Sequence, residues 1–257
     1  MSSPYDEPEL LATPLLASVE LHAELPSTND RAKQLAAGSA LLPCLIVAEQ
    51  QTAGRGRGSN QWWSSGGSLT FSLLLAPSQH GLTAQHYGGL SLATAAALCD
   101  TVASTTGAQA LVKWPNDVLI GPKKIAGVLL ESPAPDRMVI GVGLNVNNHL
   151  ADAPAEVRGR ATSLLEASGE KLDPQAVLVG FLDHLEQRIK QLADSAASLQ
   201  DDWRRLSALS GKAVTIESAQ ATHSGRCAGI GPQGELLLET DDGLLSIVSG
   251  TVIEYEQ

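Results

Sequence analysis

Between residues 44 and 147 the chain repeats short apolar runs bounded by glycine, proline or polar clusters: CLIVAEQQ, SLTFSLLLAP, ALVKWPNDVLI, KKIAGVLLES and RMVIGVGLNVN. Runs of this length and composition are strands. Only AQHYGGLSLATAAALCDTVAST, lying among them, is long and apolar enough to be a buried helix. A doubly wound sheet needs a crossover helix after nearly every strand. This stretch does not supply them. The expectation is an α+β fold with a mixed sheet and few crossovers.

The flanks complete the plan. Residues 1–17, with Pro4, Pro8 and Pro14, read as a loosely tied tail. PSTNDRAKQLAAG predicts a helix capped by Ser27 or Thr28, with Ala32, Leu35 and Ala36 on its apolar face. Val177, Leu178, Phe181, Leu182, Leu185, Ile189 and Leu192 recur at helical spacing and predict a helix from about Pro174 to Leu199. After Ser210 the composition changes to short β runs joined by GPQG and DDG turns, the pattern of a small β-barrel. The predicted division is a tail over 1–17, a main domain over 18–207 and a C-terminal domain over 208–257.

Charge narrows the function. The net charge is −11, which argues against a general binder of nucleic acid or anionic membrane. Yet no Asp or Glu occurs from Gln50 to Cys99, while Arg55 and Arg57 do. Lys113, Lys123 and Lys124 follow, against only Asp100 and Asp117. A locally basic stretch in an acidic chain suits a small anionic ligand. Cys44, Cys99 and Cys227 are far apart and show no metal-ligand spacing. They point to a reducing, cytoplasmic compartment. The N-terminus lacks a basic leader, and no apolar run reaches membrane-spanning length.

Two segments stand out chemically. AGRGRG is neither a phosphate-loop signature nor a dinucleotide fingerprint, because no GK[ST] and no apolar helix come after it. It reads either as a hairpin loop with solvated arginines or as a mobile loop whose N–H groups and arginines close over an anion. KWPND places a proline within a strand pattern. That reads as a bulge whose polar residues face solvent, or as one that aims Lys113, Asn116 and Asp117 into a site. In KKIAG, strand alternation sends Lys123 and Lys124 to opposite faces, so at most one enters a given site.

Taken together and in order, STND, EQQTAGRGRGSNQWWS, KWPNDVLI, KKIAGVLLE and GVGLNVN resemble the catalytic domain of biotin protein ligases. The C-terminal meander is similar to that family's SH3-like domain, so the resemblance spans about Leu21 to the end. It implies a catalytic domain like those of class II aminoacyl-tRNA synthetases. The implied reaction is adenylation of biotin with ATP and Mg²⁺, then transfer to a lysine of the biotin carboxyl carrier protein of acetyl-CoA carboxylase or a related carboxylase. The implied assembly is a monomer or a homodimer. Only 26 residues precede Ser27, too few for the helix-turn-helix domain of some members. The resemblance therefore implies a ligase without DNA binding.

The resemblance also implies roles. Ser27, Thr28, Asn29 and Gln51 would surround the biotin head. Gly54, Arg55, Gly56 and Arg57 would form the loop over the carboxylate and phosphates. Lys124, beside Gly127, would contact the biotin carboxylate and the adenylate phosphate. Lys113, Asn116 and Asp117 would lie near the phosphates and the incoming lysine, and Asn145 beside the adenylate. The catalytic set is Arg57, Lys113, Asp117 and Lys124. Trp62 is expected at the ligand or loop hinge and Trp63 in the core, on the view that both lie in a strand. The chemistry suits these types, because two anions must approach and cations offset their repulsion. A lipoate–protein ligase is the alternative, disfavoured by GRGRG…WWS and KWPND occurring with a C-terminal β module.

Overall fold

The computed structural model describes residues 3–195 and 197–256. The elements in chain order begin with α1 (Glu7–Leu11), β1 (Ser18–Leu25), α2 (Thr28–Ala36), β2 (Cys44–Gln51), β3 (Ser68–Leu75) and α3 (Tyr87–Thr106). There follow β4 (Ala110–Lys113), β5 (Asp117–Ile120), β6 (Lys123–Ala134), β7 (Arg137–Asn145), α4 (Leu164–Ser168), α5 (Pro174–Asp194) and α6 (Ala197–Leu206). The last strands are β8 (Ala213–Glu217), β9 (Thr222–Ile230), β10 (Leu236–Thr240), β11 (Gly243–Ile247) and β12 (Thr251–Tyr255).

The main sheet has seven strands in the order β1-β2-β3-β7-β6-β5-β4. Only β1 and β2 are parallel, with α2 as their crossover. The other pairs are antiparallel. This is the mixed α+β sheet expected from the scarcity of helices.

Strand alternation gives the two faces different work. Leu69, Phe71, Leu73 and Leu75 of β3, with Ile140, Val142 and Leu144 of β7, enter the large core that also holds buried residues of α3 and α5. The Phe71 and Phe181 rings lie 5.2 Å apart there. The opposite face is split. One strip is apolar, where Ala32 and Ala36 of α2 cover Cys44, Ile46, Leu74 and Val139. Beside it, the same face of β3 and β7 carries Thr70, Ser72, Gly141 and Gly143. α2 does not seal that second strip, and the cleft forms over it.

Several expectations change. ALVKWPNDVLI is a hairpin of β4 and β5, with Lys113 paired to Asp117, rather than one bulged strand. Trp114–Asn116 make the turn, which suits a proline and an asparagine. The helix predicted to reach Leu199 ends at Asp194. Ser195 is extended, and its hydroxyl accepts the Ala197 N–H at 3.2 Å, so a new helix starts there. The N-terminal tail is packed rather than loose. Asp6 caps α1, and Tyr5, Leu10, Leu15 and Leu16 are buried in the large core.

The C-terminal strands form one antiparallel sheet, β11-β10-β9-β8-β12. Among the described residues no ladder joins β11 to β12, so the sheet is open rather than a closed barrel. It docks on the main domain through a buried hydrogen bond of 3.1 Å from Trp114 Nε1 to the Gly234 carbonyl. Gly234 has φ +82°, and a Cβ there would lie 2.8 Å from the Gly88 carbonyl oxygen. Only glycine fits both the turn and the close approach.

Candidate active site

A cleft of about 1610 Å³ runs from the start of α2, over the glycine-rich loop and the β4–β5 turn, to the edge of the C-terminal sheet. That is larger than a pocket for one drug-sized molecule.

One end is a small buried polar network. Ser27 accepts the Asp30 N–H and so caps α2, which presents Thr28 and Asn29 to the cleft. The Thr28 N–H and hydroxyl donate to Gln51 Oε1 at 2.8 and 3.1 Å. Ser72, on the unsealed face of β3, lies 2.8 Å from Thr28 Oγ1 and donates to Asn29 Oδ1 at 2.6 Å. The Asn29 amide donates to Glu131 at 2.9 Å. Buried polar groups persist only when paired in this way.

The floor of the cleft is backbone. Gly141 and Gly143 share the pocket face of β7, and Gly127 pairs with Gly143 across the ladder. A Cβ at Gly141 would sit 1.9 Å from Asn29 Oδ1, and one at Gly143 would sit 2.2 Å from the Trp62 ring. Glycine is what lets Asn29 and Trp62 lie directly on the sheet.

The loop over this floor is a short hairpin. Trp62 N–H donates to the Gly54 carbonyl at 2.9 Å, and Gly56 N–H to the Asn60 carbonyl at 2.8 Å. Gly58, with φ +61°, is at the tip. Trp62 and Trp63 therefore do not lie in a strand. Trp62 covers Gly143 and has a buried indole N–H without an acceptor among the described residues. Trp63 is half-buried and lines the cleft rather than entering the core, because the loop has no ladder to turn it inward.

The two arginines divide. Arg55 pairs with Asp30 at 2.8 Å and with Glu131 at 3.1 Å. These pairs anchor the loop, and Arg55 still lines the cleft. Arg57 donates to the Gly250 carbonyl at 3.1 Å, and no carboxylate pairs with it among the described residues. Burial lowers its pKa, opposed by the charge of Asp117.

The β4–β5 turn brings the remaining cations in. Lys124 Nζ lies 2.5 Å from Asp117 Oδ1 and 5.8 Å from the centre of the Trp62 ring. Lys113 Nζ lies 5.3 Å above the Tyr255 ring. Its pKa is lowered by burial, raised again in part by Asp117 and lowered further by Lys124. The Asn116 side chain donates to the Val128 carbonyl at 2.6 Å, and its backbone carbonyl accepts the Val128 N–H at 3.0 Å, fixing the turn against β6. Lys123 is exposed and faces away from the cleft. Arg57, Lys113 and Lys124 thus share one carboxylate. The excess of positive charge makes this end a place for anions.

Asn145 does not line the cleft. It is buried, donates to the Thr162 carbonyl at 2.9 Å and accepts from Asn148 at 3.0 Å. It shares the face of Gly141 and Gly143, but the segment around Thr162 covers it there, and it steadies the pairing of Thr162 with Lys124. The far wall is built from Val157, Arg160 and residues of the C-terminal sheet, including Ser218 and Gly250.

Ser72, Glu131, Gly141, Gly143 and this C-terminal wall escape a reading of the sequence. The alternation in SLTFSLLL carries a signal for Ser72, and GVG carries one for the glycines. Nothing local marks Glu131 or Gly250.

Residues 22–145 match the biotin/lipoate A/B protein ligase family, and residues 209–253 match the biotin protein ligase C-terminal domain. The bifunctional ligase/repressor BirA of Bacillus subtilis is 35% identical over 90% of this chain and 72% of that protein. The biotin–[acetyl-CoA-carboxylase] ligase of Mycobacterium tuberculosis is 33% identical over 91% of this chain and 88% of that protein. The biotin protein ligase of Aquifex aeolicus, solved in complex with biotin and ATP, superposes with a TM-score of 0.80 at 28% identity. It covers 94% of this chain and 100% of its own.

Proposed function

The chain belongs to the biotin protein ligase family, and from that premise we propose how its cleft carries the reaction. The enzyme adenylates biotin with ATP and transfers the biotinyl group to a protein lysine. A biotin carboxylate oxygen attacks the α-phosphorus, the bond to the β-phosphate oxygen breaks, and pyrophosphate leaves. The acceptor amine then attacks the acyl carbon, the bond to AMP breaks, and the nitrogen loses a proton. We take the acceptor to be a biotin carboxyl carrier protein, and free cysteines to fit a cytoplasmic enzyme.

One observation carries the assignment of roles: a buried polar network and a cluster of cations share a single cleft. We assign Thr28, Asn29, Gln51 and Ser72 to the ureido ring, whose N–H and C=O groups match their acceptors and donors. A lipoyl dithiolane has no such groups and would add no hydrogen bond to this network, whereas the ureido ring would. We assign Arg57, Lys113 and Lys124 to the carboxylate and phosphates, where they offset the charge that builds at phosphorus. No enzyme nucleophile is required. Positioning supplies much of the rate, and roughly 7–11 kcal/mol is available from orientation alone. Trp62 and the glycine loop shield the mixed anhydride from water. We assign Asp117, with one oxygen engaged by Lys124, to hold the acceptor ammonium.

Among the described residues no group of three or more His, Cys, Asp or Glu side chains can hold a metal. Asp117 is already paired. The residues fit Mg²⁺ as an ion held mainly by the ATP phosphates, whose charge it would neutralise, with at most one or two of the cleft carboxylates Asp117, Glu156 and Glu217.

The test is pyrophosphate release with ATP, Mg²⁺ and either biotin or lipoate. Biotin-dependent release is expected. Release with lipoate alone, or without either acid, overturns the reading.

A further inference from the structure

Glu131 lies outside the cleft lining, yet it holds two parts of the cleft together. It accepts the Asn29 amide at 2.9 Å, Lys33 at 3.1 Å and both terminal nitrogens of Arg55 at 3.1 Å. Asp30 supports the same arrangement, pairing with Lys33 and Arg55 at 2.8 Å. Asn29 belongs to the polar pocket and Arg55 to the glycine loop. A single carboxylate therefore ties the pocket to its lid.

The chemistry of the pair fixes an orientation. An ionised carboxylate only accepts hydrogen bonds, so the Asn29 NH₂ must face Glu131. Asn29 Oδ1 is then forced toward Ser72 and the pocket, where it presents an acceptor. Glu131 is anionic at neutral pH. Burial works to raise its pKa, but the hydrogen bonds from Asn29, Lys33 and Arg55 and the Arg55 charge hold it below the usual range.

We infer that Glu131 is a positioning residue that sets the polarity of the biotin pocket through Asn29 and latches the glycine loop through Arg55. Loop closure and pocket orientation are thereby one coupled event. A glutamine at 131 keeps the shape but can donate as well as accept. Asn29 is then oriented only by its longer 3.4 Å contact to the Leu129 carbonyl and by Ser72, and Arg55 keeps only Asp30 as a charged partner. This inference rests on the biotin ligase reading, and the experiment separates the two.

Initial rates of pyrophosphate release measure KM for biotin and for ATP, and a chase experiment measures the release rate of biotinyl-adenylate. Glu131→Gln is expected to raise KM for biotin about 10- to 100-fold, the effect of one charge-assisted hydrogen bond. KM for ATP should change less than about twofold, on the scale of a site left untouched. Arg55→Met, which spares the Asn29 contact, should speed adenylate release while shifting KM for biotin less than Glu131→Gln does. The double variant should fall short of the product of the two effects, because both act on one unit. An unchanged KM for biotin in folded Glu131→Gln, or equal rises in both KM values, overturns the inference. Should Glu131→Gln not fold, wild-type adenylate release in Arg55→Met overturns it instead. Wild-type enzyme without biotin-dependent release would refute the functional reading itself.

Discussion

Replacing Gly143 with alanine tests the claim that the sheet backbone is the floor of the site. The new Cβ would lie 2.2 Å from Trp62 Cε2 and 2.6 Å from both Cδ2 and Cζ2, where ordinary contact begins at 3.4 Å. Something must move by more than an ångström. The backbone of β7 is held on both sides, by Thr70 of β3 and by Gly127 of β6. Trp62 sits on a loop without a ladder, so the indole leaves. A half-buried indole gives up about 100 Å² of contact, or ~2.5 kcal/mol at 25 cal/mol/Å². The contact with Lys124 adds about 0.5 kcal/mol. Against the closed loop, about 3 kcal/mol corresponds to a release of biotinyl-adenylate on the order of 100-fold faster. Urea unfolding should change far less, because the core side of β7 is untouched. The decisive assay is a double-mutant cycle on adenylate release. On a Trp62→Ala background, Gly143→Ala should add almost nothing, since the clash has been removed. Additive losses, or wild-type retention in Gly143→Ala alone, refute the reasoning. Gly127→Ala makes the contrast: its Cβ would press on the end of Lys124 at 3.2 Å and only touch Trp62 at 3.6 Å, so it should slow adenylation rather than speed adenylate release.

The same geometry sets three further outcomes. Arg57→Gly should leak free biotinyl-adenylate and label proteins without selectivity, detectable as biotin on a bystander protein, whereas retention as tight as wild type would show that Arg57 is no gate. Lys113→Met should lower adenylation about 10- to 100-fold through loss of a cation at the phosphates. It should not lower the melting temperature: burial depresses the Lys113 pKa, so its charged form opposes folding below that pKa, and the penalty fades only as pH rises toward the ordinary lysine value. A clear drop in melting temperature would contradict this. The carboxylates behave with the opposite sign. The folded-state pKa values of Asp30 and Glu131 are lowered, burial being outweighed by Lys33 and Arg55 for both and by Asn29 for Glu131. Their contribution is complete above the ordinary carboxylate range and is lost as pH falls through the lowered values. Stability measured below about pH 4 should therefore decline less steeply in Glu131→Gln than in wild type; parallel curves would refute it.

Much of the fold is legible in the sequence because its cues are local. Apolar runs without intervening helices specify a mixed sheet, and the Ser27 cap and the GPQG turn act within a few residues of themselves. The cues that mislead are local ones that meet a distant partner. WPND reads as a bulge until β5 pairs with β4. The helix that stops at Asp194 ends where Ser195 turns extended and its N–H closes on the Gln191 carbonyl. The proline-containing tail reads as loose, yet Leu10, Leu15 and Leu16 find a core built by α3 and α5. Trp63 reads as core only if a strand carries it.

The sequence by itself determined the chemistry on offer: a capped polar triplet at Ser27–Asn29, a flexible loop with two arginines, and lysines at 113 and 124 in a stretch poor in acids. How they are paired depends on the tertiary structure. It paired Arg55 with Asp30 and Glu131 and left Arg57 with no carboxylate pair among the described residues. It laid Trp62 on Gly143 and closed the cleft with Gly250 and Thr251 of the C-terminal domain. The physical reason is range. Propensity, capping and alternation act over one turn or one pleat. Charge neutralisation and close backbone approach depend on which residues the sheet order brings within about 3 Å, the reach of a hydrogen bond. Residues 55 and 131 meet only because β6 lies two strands from β3.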